Sequence, residues 1–342
     1  MNKQDFDTKT LLSGLREGKK LSEEQMRELV SYLVSGNASD TFISSVLSLI
    51  AVREITPEEI AGGARALRGV SKKINAPDDA VDCCGTGGDG LHSYNISTAV
   101  ALITAACGIP MAKHGNRASS SKCGAADVLE ELGVNLNAPV DILEKSLQEI
   151  GFAFLMAPNH HAALAHVGKI RKELGFRTFF NIMGPLISPA QAERQLIGVY
   201  SKDLLKPMGE SLKRLGVKKA WLVCGEDGLD EISLNAPTHC LKINGTKSES
   251  CVLTYEDFGL PQISLEDIRG GDAAYNANAL MELLNGANNA YRYMALANAA
   301  AVLVIADKVP DLKNGVSMAA DAIDTGKARN ILETYIQMTR PQ

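Results

Sequence analysis

Apolar positions along this chain change their spacing near residue 75, and the change separates two kinds of structure. Before it they recur at helical intervals, as in Phe42, Val46, Leu49 and Ile50. Two start signals frame these helices. Ser22-Glu23-Glu24-Gln25 reads as a capping box, and Thr56-Pro57-Glu58-Glu59 adds proline at the first helical position. No strand pattern precedes Asn75-Ala76-Pro77, so residues 1–75 are expected to form a small all-helical N-terminal domain. From Val81 onward, short apolar runs alternate with longer helical ones. Ala80-Val81 with Cys83-Cys84, Ile109–Ala112, Phe152–Ala157, Gln195–Tyr200 and Ala220–Val223 read as buried strands. Ser93–Ala106, Ala125–Leu132 and the alanine-rich C-terminal stretch read as helices. That alternation predicts a large α/β domain with a central, mostly parallel sheet flanked by helices, built from 76–161 and 193–342. A helix at Ala162–Leu174 and the turn Arg177–Pro185 break the rhythm, and about 162–192 is expected to join the helical domain.

Composition narrows the class. At 342 residues the chain exceeds one ordinary core, and 45% apolar with 22% charged residues is usual for a soluble globular protein. A net charge of −5 gives no general attraction to nucleic acid or to an anionic membrane, so any anion site must be built locally. Seven cysteines, odd in number and without a CxxC pair, point to reduced thiols in the cytoplasm rather than disulfides or zinc. Met1-Asn2-Lys3-Gln4-Asp5 lacks the apolar core of a signal peptide. Ala99–Ala112 and Ala299–Ala306 are too short to span a bilayer.

Three polar clusters follow three of the expected strands, the rim where open α/β sheets bind ligands. The first is Cys84-Gly85-Thr86-Gly87-Gly88-Asp89-Gly90, whose glycines let backbone amides close on an anion ahead of a helix N-terminus. It matches neither the Walker nor the dinucleotide spacing. Ser97 and Thr98 then offer hydroxyls to a phosphate or metal, or simply cap the helix. The second cluster, Lys113-His114-Gly115-Asn116-Arg117-Ala118-Ser119-Ser120-Ser121-Lys122, has the density of a phosphate or diphosphate cradle, against the alternative of a solvated basic loop. His114 alone fits an ordinary loop histidine equally well. The third, Gly225-Glu226-Asp227-Gly228-Leu229-Asp230-Glu231, places two adjacent carboxylates on a turn suited to Mg²⁺, though an isolated acidic turn is more often just solvated. His160, His161 and His166 lack partners at zinc-ligand spacing, and Cys83 and Cys84 read as core residues. Arg171 precedes a Pro/Gly-rich turn and is suited to fork onto a carboxylate.

In order and spacing, CGTGGDG, NIST, KHGNRASSSKCGAADVLEELG, RKELGFRTFFNIMGPL and GEDGLDEIS resemble the anthranilate phosphoribosyltransferase family, over nearly the whole chain. The resemblance implies transfer of a 5-phosphoribosyl group from 5-phospho-α-D-ribose 1-diphosphate to the amine of anthranilate, in tryptophan biosynthesis. It implies diphosphate-substrate contacts from Gly85, Gly88, Asp89, Ser93, Asn95, Ile96, Ser97 and Thr98, and from Lys113, His114, Gly115, Asn116, Arg117, Ala118, Ser119, Ser120 and Ser121. Gly85, Asn116 and Arg171 would contact anthranilate. Ser97, Asp230 and Glu231 would hold Mg²⁺, two ions per subunit, with Lys113, His114 and Asp89 as the catalytic group. The family further implies a cytoplasmic homodimer formed through the helical domain, with no nucleic-acid or membrane partner. Two departures stand out: Val52-Arg53-Glu54-Ile55-Thr56 lacks the family's glycine, and Gly184-Pro185-Leu186-Ile187-Ser188-Pro189-Ala190 lacks its asparagine. A pyrimidine nucleoside phosphorylase would share the architecture, and the intact Asp230-Glu231 pair argues against it. A nucleic-acid-binding paralogue would need a broad basic face that this chain lacks.

Overall fold

The computed structural model describes residues 7–118 and 122–340. Four helices come first: α1 (Thr8–Arg16), α2 (Glu23–Leu33), α3 (Asp40–Ala51) and α4 (Pro57–Val70). Both expected capping boxes form. The Gln25 amide donates to Ser22 Oγ at 3.2 Å while Ser22 N–H reaches Gln25 Oε1 at 3.0 Å, and Thr56 and Glu59 repeat the exchange at 3.3 and 3.0 Å. Glu59 does more than cap. It is fully buried, and it also accepts from Leu21 N–H and from Arg53 Nη1, each at 2.9 Å. Burial opposes its charge, but Arg53 and the amides outweigh burial and hold its pKa below the ordinary carboxylate value. The glycine-free turn 52–56 is therefore organised around that buried carboxylate.

Seven strands form one sheet: β1 (Val81–Gly85), β2 (Met111–Gly115), β3 (Phe152–Met156), β4 (Arg194–Gly198), β5 (Lys219–Gly225), β6 (Thr238–Asn244) and β7 (Lys247–Leu253). Their order is β3-β2-β1-β4-β5-β6-β7, with β1 to β5 parallel and the last two antiparallel. The remaining helices are α5 (Ile96–Ala106), α6 (Ala125–Glu131), α7 (Val140–Ile150), α8 (Ala157–His160), α9 (Ala165–Leu174), α10 (Leu205–Arg214), α11 (Tyr255–Phe258), α12 (Ala273–Leu284), α13 (Ala290–Ile305), α14 (Leu312–Asp324) and α15 (Lys327–Thr339). No helix among the described residues is long and apolar enough to cross a membrane.

Alternation along the strands feeds two cores. Leu196, Trp221 and Val223 pack with α5 and α12–α15 on one face of the sheet, and Ile197, Ala220 and Leu222 pack on the other with α1–α4, α9 and α10. Val167, Ile170, Phe179, Phe180, Ile182, Met183 and Leu186 share that second core. The helices before residue 75 thus share their buried surface with one face of the sheet.

Several boundaries differ from the sequence reading; strand β2 runs over Met111–Gly115 rather than Ile109–Ala112, so Lys113 and His114 are buried strand residues rather than loop residues. Helix α5 starts at Ile96 rather than Ser93, because the preceding residues pair elsewhere: Ser93 bridges Arg269, Tyr94 N–H donates to Ile268 O at 2.9 Å, and Gly270 N–H to His92 O at 2.8 Å. The expected helix Ala162–Leu174 opens with a 3₁₀ turn, Ala162–Leu164, before α9 begins.

Candidate active site

The strand order reverses between β1 and β4, so the loops leaving the carboxyl ends of β1, β2 and β5 gather at one crevice. The glycine loop and the acidic turn meet there. Gly87 N–H donates to Asp230 Oδ2 at 2.7 Å. A Cβ on Gly85 would collide with the Asp230 carboxylate, and one on Gly198, at the end of β4, would strike the Asp230 carbonyl. Both glycines are needed for that close approach. Within the loop, Gly87, Gly88 and Gly90 take φ values of 68, 81 and 77°, a region that side-chain-bearing residues avoid. Asp89 Oδ1 accepts from Leu91 N–H at 3.2 Å.

The carboxylates repel one another. Burial and the neighbouring Asp89 raise the Asp230 pKa well above the usual range. Burial, Asp230 and Asp89 push Glu231 up to about 8 against the pull of Lys113 and the Ser97 amide. That crowding favours a cation. Among the described residues no three His, Cys, Asp or Glu side chains converge tightly enough to hold one alone, so an ion here must draw further ligands from substrate oxygens and water. Mg²⁺, a hard ion that keeps water and phosphate in its shell, fits those terms.

Lys113, the middle residue of β2, is 2% exposed, with Nζ donating to the His114 carbonyl at 3.1 Å. Burial disfavours its charge; the Cys83 and Cys84 sulfurs with the Asp82 and Glu231 carboxylates favour it, and the net shift is upward. Asp82, buried in β1, accepts from His114 N–H at 3.0 Å, and burial lifts its pKa to about 6. The His114 ring packs edge-on to His161 with centroids 5.2 Å apart. Burial and the cationic neighbours hold His114 well below the ordinary imidazole value, while burial and His160 push His161 down to about 4. His114 Nε2, His161 Nε2 and Thr98 Oγ1 are buried without a hydrogen-bond partner.

The rest of the cradle is held from α6. Asp127 Oδ2 accepts from Ala118 N–H at 2.9 Å and Gly124 N–H at 2.8 Å. Arg117 is turned onto Glu130 and Asp127, at 2.7 and 3.1 Å, and Asn116 Oδ1 accepts the Arg117 amide. Gly115 stands where a Cβ would come within 2.6 Å of Phe154. Ser119, Ser120 and Ser121 lie outside the described residues. At the start of α5, Ile96 is buried, and the Asn95 side chain is taken by Asn276 at 2.9 Å and by the Cys123 carbonyl at 3.4 Å. Ser93 lies on the Ile268–Gly270 strap.

Arg171, in the last turn of α9, sits 5.5 Å from the Phe180 ring centroid, and burial lowers its pKa. Its guanidinium makes no hydrogen bond or ion pair to the described residues, so it keeps its fork available for an anion. Three residues whose contacts organise the crevice escaped the sequence reading. Asp82 is a charge placed inside an apolar strand, which was its one visible signal. Asp127 organises the cradle from the third residue of α6. Arg177 reaches the Gly88 carbonyl; the sequence reading took it only as part of the RKELGFRTFFNIMGPL stretch and gave it no role.

Comparison with known proteins agrees with this architecture. The glycosyl transferase family α/β domain matches residues 77–329, and that family's helical bundle domain matches residues 9–71. An anthranilate phosphoribosyltransferase of Afipia carboxidovorans is 46% identical over 334 residues, spanning 98% of this chain and 99% of that protein. The Azospirillum brasilense protein of the same name is 45% identical over 333 residues, spanning 97% and 93%. Among solved structures, the anthranilate phosphoribosyltransferase of Thermus thermophilus superposes with a TM-score of 0.91 at 38% identity, covering 96% of this chain and 99% of that one. The Saccharomyces cerevisiae enzyme in complex with PRPP and Mg gives 0.88 at 29% identity, covering 96% and 98%.

Proposed function

This chain belongs to the anthranilate phosphoribosyltransferases, and from that premise we propose how its residues divide the work. The reaction moves the 5-phosphoribosyl group from 5-phospho-α-D-ribose 1-diphosphate (PRPP) to the amine of anthranilate, releasing diphosphate and giving N-(5-phospho-β-D-ribosyl)anthranilate for tryptophan biosynthesis. The observation that carries the division of labour is the contact between Gly87 N–H and Asp230 Oδ2, which makes phosphate cradle and acidic turn one site.

In this reading the amides of 88–90, which the Gly87–Asp230 and Thr86–Gly198 contacts leave unused, hold PRPP together with the first turn of α5 and the 113–121 cradle. Asp230, Glu231 and Ser97 hold Mg²⁺, which when bound with substrate neutralises the departing diphosphate. Lys113, almost wholly buried, adds its charge to the cradle and balances Asp82 and Glu231. His114 stays neutral and leaves Nε2 free for substrate, and Asp89 sets the charge felt by Asp230. Arg171 receives the anthranilate carboxylate, and Gly85 and Asn116 flank the ring. As the C1–O bond lengthens, ribose takes oxocarbenium character, and the amine attacks the opposite face with inversion. An aromatic amine is unprotonated at neutral pH, so attack requires no strong base and no covalent enzyme intermediate.

The same reading makes the protein a cytoplasmic homodimer whose helical unit, 1–75 with about 162–192, supplies the contact. The groove between α1 and α3, lined by Leu12, Ser44, Ser48 and Leu49, supports that surface, and sedimentation of the purified protein tests it. For the reaction, purified protein given anthranilate, PRPP and Mg²⁺ should lose anthranilate fluorescence and release diphosphate in equal amounts, with the phosphoribosylated product identified by mass. Turnover with inorganic phosphate and a nucleoside, but none with anthranilate, would contradict it.

A further inference from the structure

Arg177 belongs by position to the segment packed with α1–α4, yet its side chain crosses to the glycine loop. Nη2 donates to the Gly88 carbonyl, and the guanidinium lies 4.2 Å from the Tyr200 ring centroid. Tyr200 is itself tied to the loop's base: its N–H donates to Thr86 Oγ1 at 3.2 Å, and Thr86 N–H donates to Gly198 O at 2.9 Å. A Cβ on Gly88 would meet Arg177 Nε only at ordinary contact distance, 3.4 Å, so it is the φ of 81° rather than Arg177 that calls for glycine there.

We propose that Arg177 is a positioning residue for PRPP, selecting one orientation of the peptide planes in the glycine loop. Glycines at φ 68, 81 and 77° carry no side chain to penalise a flipped plane, so partners outside the loop must choose the orientation. Asp230 fixes the Gly87 amide and Arg177 fixes the Gly88 carbonyl. A peptide unit is planar and trans, so holding that carbonyl on Arg177 points the Asp89 N–H in the opposite direction within the same plane. An anion then meets amides already aimed, and the ordering cost is removed from binding. The stacked Tyr200 ring holds the guanidinium flat while its N–H groups face the loop, a combination that lysine cannot reproduce.

The inference rests on the transferase reading, and the test separates the two. Wild type, Arg177→Ala, Arg177→Lys and Tyr200→Phe are compared in steady-state kinetics with each substrate varied. Hydrogen exchange at residues 86–91 is followed in the same proteins without ligand. Loss of one charge-assisted hydrogen bond is worth about ten-fold. Arg177→Ala should therefore raise KM for PRPP about ten-fold, leave kcat and the anthranilate KM within about two-fold, and speed exchange at 86–91. Arg177→Lys should recover part of both effects, and Tyr200→Phe, which keeps the ring, should match wild type. An unchanged PRPP KM, or equal rises in both KM values, would overturn the proposal. A raised PRPP KM with unchanged ligand-free exchange would overturn it too, making Arg177 a direct phosphate contact. If wild type turns over neither substrate, the transferase reading fails, while the exchange measurement still decides whether Arg177 holds the loop.

Discussion

The two walls of the crevice are built differently. The acidic wall is a closed network: Asp227 accepts from Ser233 Oγ at 2.7 Å, Asn235 Nδ2 at 3.1 Å and Leu229 N–H at 3.2 Å, while Asn298 exchanges hydrogen bonds with the Ile232 backbone at 2.9 and 3.0 Å. These bonds and the Gly225–Leu229 and Glu226–Pro237 backbone contacts brace the turn on both sides of Asp230 and Glu231. The glycine wall carries three residues at positive φ and is oriented by borrowed contacts, from Asp230 on one side and Arg177 on the other. On the proposed assignment, the difference teaches where specificity and adaptability reside: the carboxylates assigned to the cation are prebuilt, and the amides assigned to the phosphate are ordered by what surrounds them.

The largest expected effect comes from disarming the prebuilt wall. Asp230→Asn with Glu231→Gln should lower kcat/KM by about a thousand-fold or more, read from anthranilate fluorescence, because electrostatic stabilisation of the leaving group is lost. The same variant should melt higher than wild type. Both acids have raised folded-state pKa values, so their charged forms oppose folding at neutral pH. Uncoupling the walls comes next. Gly85→Ala drives a methyl into the Asp230 carboxylate and should cost about a hundred-fold in kcat/KM, on the scale of a misplaced reacting group. Arg171→Ala should raise KM for anthranilate by about ten-fold or more with little change for PRPP, and equal rises would remove its assigned role. The smallest effect concerns the histidines under the cradle. His161 has its pKa depressed from 6.5 to about 4, so its contribution to stability is complete above 6.5 and is lost as pH falls toward 4. Between pH 7.5 and pH 5 the stability gap between wild type and His161→Gln should narrow by roughly 2 kcal/mol, measured by urea denaturation.

Much of this was legible from the chain. Ser22 and Thr56 announced their helices because a capping box uses local residues only. Strands β1 to β5 showed as short apolar runs because parallel strands are buried on both faces. The hairpin of β6 and β7 did not. It lies at the sheet edge, and Lys247-Ser248-Glu249-Ser250 faces water, so no apolar run marks it. Its signal was Gly245-Thr246 between two alternating segments, with Gly245 at φ 58° as the first residue of a two-residue turn. In the site, motif spacing pointed to the glycine loop, the cradle and the acidic turn, and the fold brings them to one edge of the sheet. Motif spacing was silent on what holds them. Asp82 under His114, Asp127 across the cradle and Arg177 on Gly88 act through contacts that the local sequence does not encode.

Hydrogen exchange at the two walls, with and without PRPP and Mg²⁺, tests the central comparison most directly. The account expects amides in 225–235 to exchange slowly in both states, and amides in 86–91 to exchange faster than these without ligand and to slow further when substrate and Mg²⁺ are present. Fast exchange in 225–235 without ligand, or equal protection of both segments on binding, would contradict it.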